Sequence, residues 1–455
     1  MSDQTSKNDY IEQAHPDYAG LRNHYSFAVM LMGGLSKVME NSSQTLPRNQ
    51  YESDLNYQAR KFRAVLYNVY RSTVVNLSRK PFTEKPKFDP PLPEKYGFVE
   101  SNIDGSGMNL TSFLRKQVED KLVYGKYITM VNMNQVDPEM SEADRIEKGI
   151  NPFCSRINPD ALFSWYYDKE GLAMIKIKYQ VEVMNESTHE VTKEDRIDVH
   201  TRDKIENWKK TSGKDNSGWI LDNESPNKIG KIFLVIGDSI YDLPELEDMA
   251  MMNGSHFRKM SDLDNITHVV NTPFLLFTGV NKDQVEAIVS VNRAYSFSSK
   301  DANIRWIQPD AGMISQSADE LKAIEARLRV AGAEIITERK VTKTATESSA
   351  ENRDKMSTLE SIVNGVIENW KKIGAYMAEL LGDKNPPEFN LWIFKDFNIA
   401  SEALDEINLI MKSYLSNAIS RETFLKELSR RKIMADDWDP EAEADLLVDD
   451  GGDEF

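Results

Sequence analysis

The spacing of apolar positions changes several times along the chain, and each change predicts a different kind of element. Residues 17–42 and 51–77 are predicted helices; in the second, Ala59, Phe62, Leu66, Val69 and Leu77 recur near helical spacing. Prolines between Pro81 and Pro93 then interrupt the pattern. A further helix is predicted over 110–124, with Phe113, Leu114, Val118 and Leu122 on one face, leading into an apolar strand at 127–133.

From residue 162 to 236 the period becomes two. Ile175, Ile177, Tyr179, Val181 and Val183 alternate with Lys176, Lys178, Gln180 and Glu182, the mark of a half-buried antiparallel strand. Shorter strands near 197–199, 219–221 and 232–236 are expected to join it. Together with the flanking helices this predicts an α+β body.

After Pro244 a helix of about 25 residues is predicted through Leu246, Met249, Phe257, Met260, Leu263 and Ile266, ending before Asn271-Thr272-Pro273. A compact insert follows, with strands at 274–278, 295–297 and 304–307 and a short helix at 283–289. Helical spacing returns over 318–331 through Leu321, Ile324 and Leu328. The linker GAEIITERKVTKTA (332–345) is rich in threonine and charge, and Ser348 with Glu351 offers a capping box for the next helix. That helix carries a stripe from Leu359 through Ile362, Val366, Trp370, Ile373 and Met377 to Leu381, stopped by Gly382 and Pro386-Pro387. Counted from its capping box it has roughly 35 residues and a length of about 50 Å at ~1.5 Å per residue. A strand at 389–397 and helices at 401–417 and 420–433 complete the pattern.

Composition adds little to this picture, and charge changes it. At 455 residues the chain is long enough for two to four structural units, and its 40% apolar and 28% charged residues suit a folded, soluble protein. The opening MSDQTSKNDYIEQ lacks the apolar run of a signal peptide, and no stretch has the length of a membrane span, which predicts a cytoplasmic site of synthesis. The net charge is −17, but residues 436–455 contain ten acids and no base, leaving −7 on the body. Such a mildly acidic body argues against a sequence-specific DNA reader, and suits a wall past which a duplex slides without being gripped.

Candidate chemistry is sparse. No P-loop occurs, and Gly33-Gly34 and Gly105-Ser106-Gly107 lack the setting of a dinucleotide fingerprint. The six histidines never fall at metal-ligand spacing. Asp436, Asp437 and Asp439 lack the central glycine of a calcium loop and read as solvated tail. There is no GxSxG elbow, and the lone Cys154 reads as a buried small residue. The sequence therefore predicts a non-enzyme without cofactor or metal. Two basic clusters remain. Arg430-Arg431-Lys432 ends a predicted helix, where the macrodipole favours cations. Arg339, Lys340 and Lys343 lie between two helices, where capping and packing give no reason for them.

The order of elements resembles the portal proteins of tailed bacteriophages. Particular segments carry the likeness: NLTSFLRKQVEDKLVYGKYITMV (109–131), INPDALFSWYYDKEGLAMIKIKY (157–179), residues 243–279 ending NTPFLLFTG, KTATESSAENRDKMSTLESIV (343–363) and NAISRETFLKELSRRKIMADDWDPEAEAD (417–445). The resemblance implies a wing over 1–238, a first stem helix over 239–270, a clip over 271–313, a second stem helix over 314–332, and a tunnel loop over 333–345. A long helix with a wing strand (346–398) and a crown with the acidic tail (399–455) follow. It further implies a ring of about twelve copies, closed by heterologous contacts, at one capsid vertex of the virion. Its implied partners are double-stranded DNA held non-specifically in the channel, the terminase large subunit, a tail adaptor, and capsid and scaffolding proteins. Packaging, retention and ejection of DNA would pass through the bore. Thr337, Glu338, Arg339, Lys340 and Lys343 would then face the DNA, each repeated around the axis as a ring of charge.

Two other readings compete. One is a connector or scaffold whose long helix makes protein contacts without enclosing DNA. The other is a nucleic-acid enzyme with carboxylate-bound Mg²⁺, against which stands the lack of a clustered acidic motif outside the tail.

Overall fold

A computed structural model describes residues 10–133, 148–185, 188–212, 217–227, 229–270, 274–279, 301, 303–307, 312–334, 357–395, 397, 410–416, 419–420 and 423–424. The chain divides into two compact units, Met1–Ile335 with Ser361–Ile393, and Ile336–Glu360 with Phe394–Phe455. Both helices and sheets are present, as an α+β class requires.

The expected helix over 17–42 is broken into α1 (Tyr18–Met32), α2 (Gly34–Glu40) and α3 (Ser42–Thr45). The first break lies at Gly33-Gly34, where the Gly34 φ of +75° is outside helical geometry and suits a residue without Cβ, and the second at Asn41. The expected helix over 51–77 also splits, into α4 (Asp54–Arg63) and α5 (Val69–Arg79). Its two starts are capped by side chains that the apolar period overlooks: Ser53 accepts from the Asn56 amide, and Asn68 from the Arg71 amide. After β1 (Lys87–Phe88) and α6 (Phe98–Ser101) comes α7 (Leu110–Tyr124), which has the bounds its sequence predicts. Gly125 ends it in the left-handed region at φ +76°, and a Cβ there would lie 2.4 Å from the Leu243 backbone. That contact fixes the chain just before Pro244.

Two sheets follow. In the three-stranded one, β2 (Ile128–Asn132) lies between β3 (Phe153–Ile157) and a late strand, β9. The second is a meander of β4 (Leu162–Asp168), β5 (Gly171–Met184), β6 (Val191–Thr201), β7 (Lys204–Ser212) and β8 (Ser217–Pro226), all antiparallel. The strand expected at 232–236 is β9 (Leu234–Ile236), and it pairs with β2 instead of joining the meander. Ile175 and Ile177 face a core shared with Ile128, Met130, Trp165 and Leu234. On the other face Ile197, Val199, Trp208 and Trp219 pack with Ile11 from the N-terminal segment. This second cover explains why Lys176, expected in solvent, is buried: its ammonium donates to the carbonyls of Tyr10 and Gln13. Further out, Val183 is exposed, since neither cover reaches that end of the strand.

Next come α8 (Glu247–Val270), β10 (Phe274–Thr278), β11 (Asn303–Ile307), α9 (Gly312–Glu334), α10 (Thr358–Leu381) and β12 (Leu391–Trp392). The strand expected over 389–397 reduces to β12, paired with β1. The long helix is also shorter than expected. Its cap is Ser357, which accepts from the Glu360 amide, so α10 spans 24 residues, about 36 Å. Ser348 and Glu351 lie outside the described residues. Within the first unit Trp370 is fully buried and donates to Gln117 (3.0 Å), which donates to Thr129 (2.8 Å). Gly374 lets Phe389 close on the helix, because a Cβ there would be 2.1 Å from that ring. In the second unit the Tyr414 and Phe424 rings stack at 4.7 Å.

Candidate interaction site

Helices α8 and α9 pack side by side, and their contacts fix the direction. Met249 lies near Gly332, His256 bonds Glu325 (3.3 Å), and Lys259 pairs with Glu320 (2.5 Å). Numbers rising on one helix meet numbers falling on the other, so the pair is antiparallel. With 24 and 23 residues, each helix is about 35 Å long. Between them β10 and β11 form an antiparallel ribbon with Phe274 opposite Ile307 and Thr278 opposite Asn303. The ribbon therefore joins one end of the pair, and the chain leaves α9 at the other.

The first half of α8 is anchored deeply. Gly254 lets it approach α1, since a Cβ there would meet the Phe27 ring at 2.4 Å. Asn253, fully buried, accepts from the Tyr70 amide (2.9 Å) and donates to the Tyr67 carbonyl (3.1 Å), holding the start of α5. His256 is buried against Glu325 and the Tyr67 ring. Past Ser261 the apolar burial thins, and Ile266 is exposed.

Helix α4 is fastened to α8 by charge. Arg60, only 2% exposed, donates to Glu52 (2.8 and 2.9 Å), to the Pro47 carbonyl (2.8 Å) and to Asp262 of α8 (3.3 Å). Arg63 donates to Asn265 (2.8 Å). The Arg60 guanidinium holds the Glu52 carboxyl below its usual range, whereas burial raises that of Asp262. Sequence periodicity missed this cluster; its one signal is the run of cations, Arg60, Lys61 and Arg63, closing a mostly polar helix.

Elsewhere, charged groups close the turn ahead of α8. Lys121 pairs with Asp238 (2.7 Å) and Asp242 (2.8 Å), and Lys126 donates to the Ile240 carbonyl. Burial pushes the Lys126 amine down to about 8. A cleft of about 560 Å³ beside this turn is lined by Tyr167, Arg202, Lys231, Tyr241 and Tyr376. Cys154 is fully buried, and burial raises its thiol out of the reactive range.

Thr337, Glu338, Arg339, Lys340 and Lys343 fall in 335–350, outside the described residues, as do the short helix at 283–289, the strand at 295–297 and the acidic tail. Among the described residues no cluster of three or more metal-ligating side chains occurs, and no helix is long and apolar enough to cross a membrane.

A family described as a domain of unknown function, DUF4055, matches residues 245–381, from the start of α8 to the end of α10. No curated protein matches the sequence. Solved structures similar to the chain include three from gene transfer agent (GTA) particles. The neck of an empty particle aligns at 9% identity and TM-score 0.32, over 78% of this chain and 87% of its own. The virion of a native particle aligns at 9% and 0.34, over 86% and 96%. The neck of a native particle, with C12 symmetry, aligns at 7% and 0.34, over 79% and 89%. Superposition at this level does not establish a shared fold, so the functional reading rests on the chain's own residues.

Proposed function

We propose that the chain is the subunit of a portal-type ring, a passage for double-stranded DNA at a capsid vertex that docks a terminase and a tail adaptor. The observation that carries this reading is the antiparallel α8–α9 pair, joined at one end by a β ribbon and left by the chain at the other. In a ring with these helices around the axis, the ribbon is a docking tip. The segment 333–345, with Arg339, Lys340 and Lys343, continues from α9 in the sequence and is read as the loop that faces the bore. Copied around the axis, those cations touch phosphates transiently, while the acidic body prevents tight binding. The sequence resemblance over 109–131, 157–179 and 243–279 supports the same order.

Imaging of the purified protein tests the ring: closed particles with a central hole are expected, and a compact monomer under every assembly condition, including in the particles it comes from, refutes it. The DNA-facing role is tested separately. Lys340→Glu or Lys343→Glu is expected to impair packaging or retention while rings still assemble. Wild-type packaging by both variants removes that role from the segment.

A further inference from the structure

Helix α4 is built inside out. Its Arg60 is buried in the ion cluster, while Phe62 is 93% exposed, Leu55 83% and, just before the helix, Tyr51 92%. Val65, just after it, is exposed as well. A helix held by buried charge, with its large apolar side chains in water, has its polarity reversed relative to the core it sits on. Arg60 and Arg63 reach inward to α8, so the opposite side is free to meet another surface.

We infer that this outward side of α4 is a subunit contact, covered by a second copy of this chain. The inference rests on the ring reading and names the surface that closes the ring. Two observations favour a second copy as the occupant. The first is area: aromatic side chains cover about 150–250 Å² each, so Tyr51, Leu55, Phe62 and Val65 offer roughly 500 Å². That lies at the upper end of the largest apolar patch on ordinary monomers, about 300–600 Å² and often functional, and supplies more than half of the roughly 800 Å² a stable interface buries per partner. The second is charge. Copies carrying −17 each repel one another, and association is favoured where a surface is apolar and nearly uncharged. Between residues 51 and 65 Asp54 is the one exposed charged residue, and it pairs with Arg48 at 2.7 Å. Lys61 is half-buried, its ammonium lying 4.6 Å over the Tyr57 ring.

The chain's own chemistry supplies the probe. Cys154 is its one cysteine and is fully buried, so Phe62→Cys presents a single reactive thiol. Maleimide labelling is followed on that variant as monomer and as purified ring. The labelling rate is expected to fall about tenfold or more in the ring, as closure of a packed interface requires. Leu55→Glu/Phe62→Glu is expected to keep the monomer's circular dichroism and to stop assembly. Rings in which the introduced thiol labels as fast as in the monomer overturn the inference and leave the ring reading standing. Protection that appears only in complete particles assigns the face to a different protein, and also overturns it. A wild-type chain that never forms rings overturns the ring reading and this inference together.

Discussion

Replacing Arg60 with methionine removes the cation that bonds the Glu52 carboxylate in the pocket between α4 and α8. Glu52 loses two charge-assisted bonds of 2.8 and 2.9 Å and keeps only the Asn49 amide at 3.1 Å, while the Pro47 carbonyl loses its 2.8 Å donor. Asp262, about half exposed, regains water and adds little. Stranding one partner of a buried pair costs about 3–5 kcal/mol, and that cost falls on the attachment of α4. It is read as the opening free energy of the α4 amides by hydrogen exchange, which isolates local unfolding in a chain too large for a single transition. The double variant Glu52→Leu/Arg60→Met, which strands no buried charge and leaves only the half-exposed Asp262 to water, is expected to recover all but about 1 kcal/mol. Because Arg60 lowers the Glu52 carboxyl below 4.5, the pair's stabilisation is complete above that pH and is lost as pH falls through the lowered value. An Arg60→Met protein whose α4 amides exchange within about 1 kcal/mol of the parent, or a double variant no better than the single, refutes the clamp.

Lys126, with its amine pushed down to about 8 against 10.5 when unfolded, binds fewer protons folded than unfolded between those values. Stability of the first unit is therefore expected to rise with pH from 8 to about 9.5 by roughly 1 kcal/mol per unit, measured by the midpoint of that unit's own urea transition, and Lys126→Met is expected to abolish that slope. Gly374→Ala should destabilise the protein by about 1–3 kcal/mol despite its better helix propensity. The added methyl meets a Phe389 ring that Phe88 (6.0 Å) and Tyr96 (5.3 Å) hold edge-on, and an unchanged urea midpoint counts against that packing.

The elements most legible in the sequence are those whose burial follows one period from end to end. Helix α7 has such a stripe and an asparagine cap, and its bounds are those predicted. The α8–ribbon–α9 order was legible from helical spacing on both sides of the insert, although two residues of the predicted α8 stripe, Met260 and Ile266, are exposed. Helices broken by side-chain caps were not: Asn68 and Ser53 act through single hydrogen bonds that leave the apolar count untouched. The partner of β9 was hidden because pairing across a hundred residues depends on tertiary packing that local alternation does not encode. The Arg60 cluster was illegible because its members are scattered from Pro47 to Asp262, and because Phe62, counted in a buried stripe, belongs to the outward side of its helix. The five residues assigned to the DNA-facing segment lie outside the described residues, and their role stands as proposed.

The register of the β ribbon sets how freely this chain can vary. With Phe274 opposite Ile307, the excursion leaves the helices and returns to them at neighbouring positions. Residues can then be gained or lost beyond Thr278 and Asn303 at a closure cost that grows only logarithmically with length, and neither helix has to shift. The two dozen positions between Thr278 and Asn303 are thus open to rewriting while the scaffold beneath keeps its geometry.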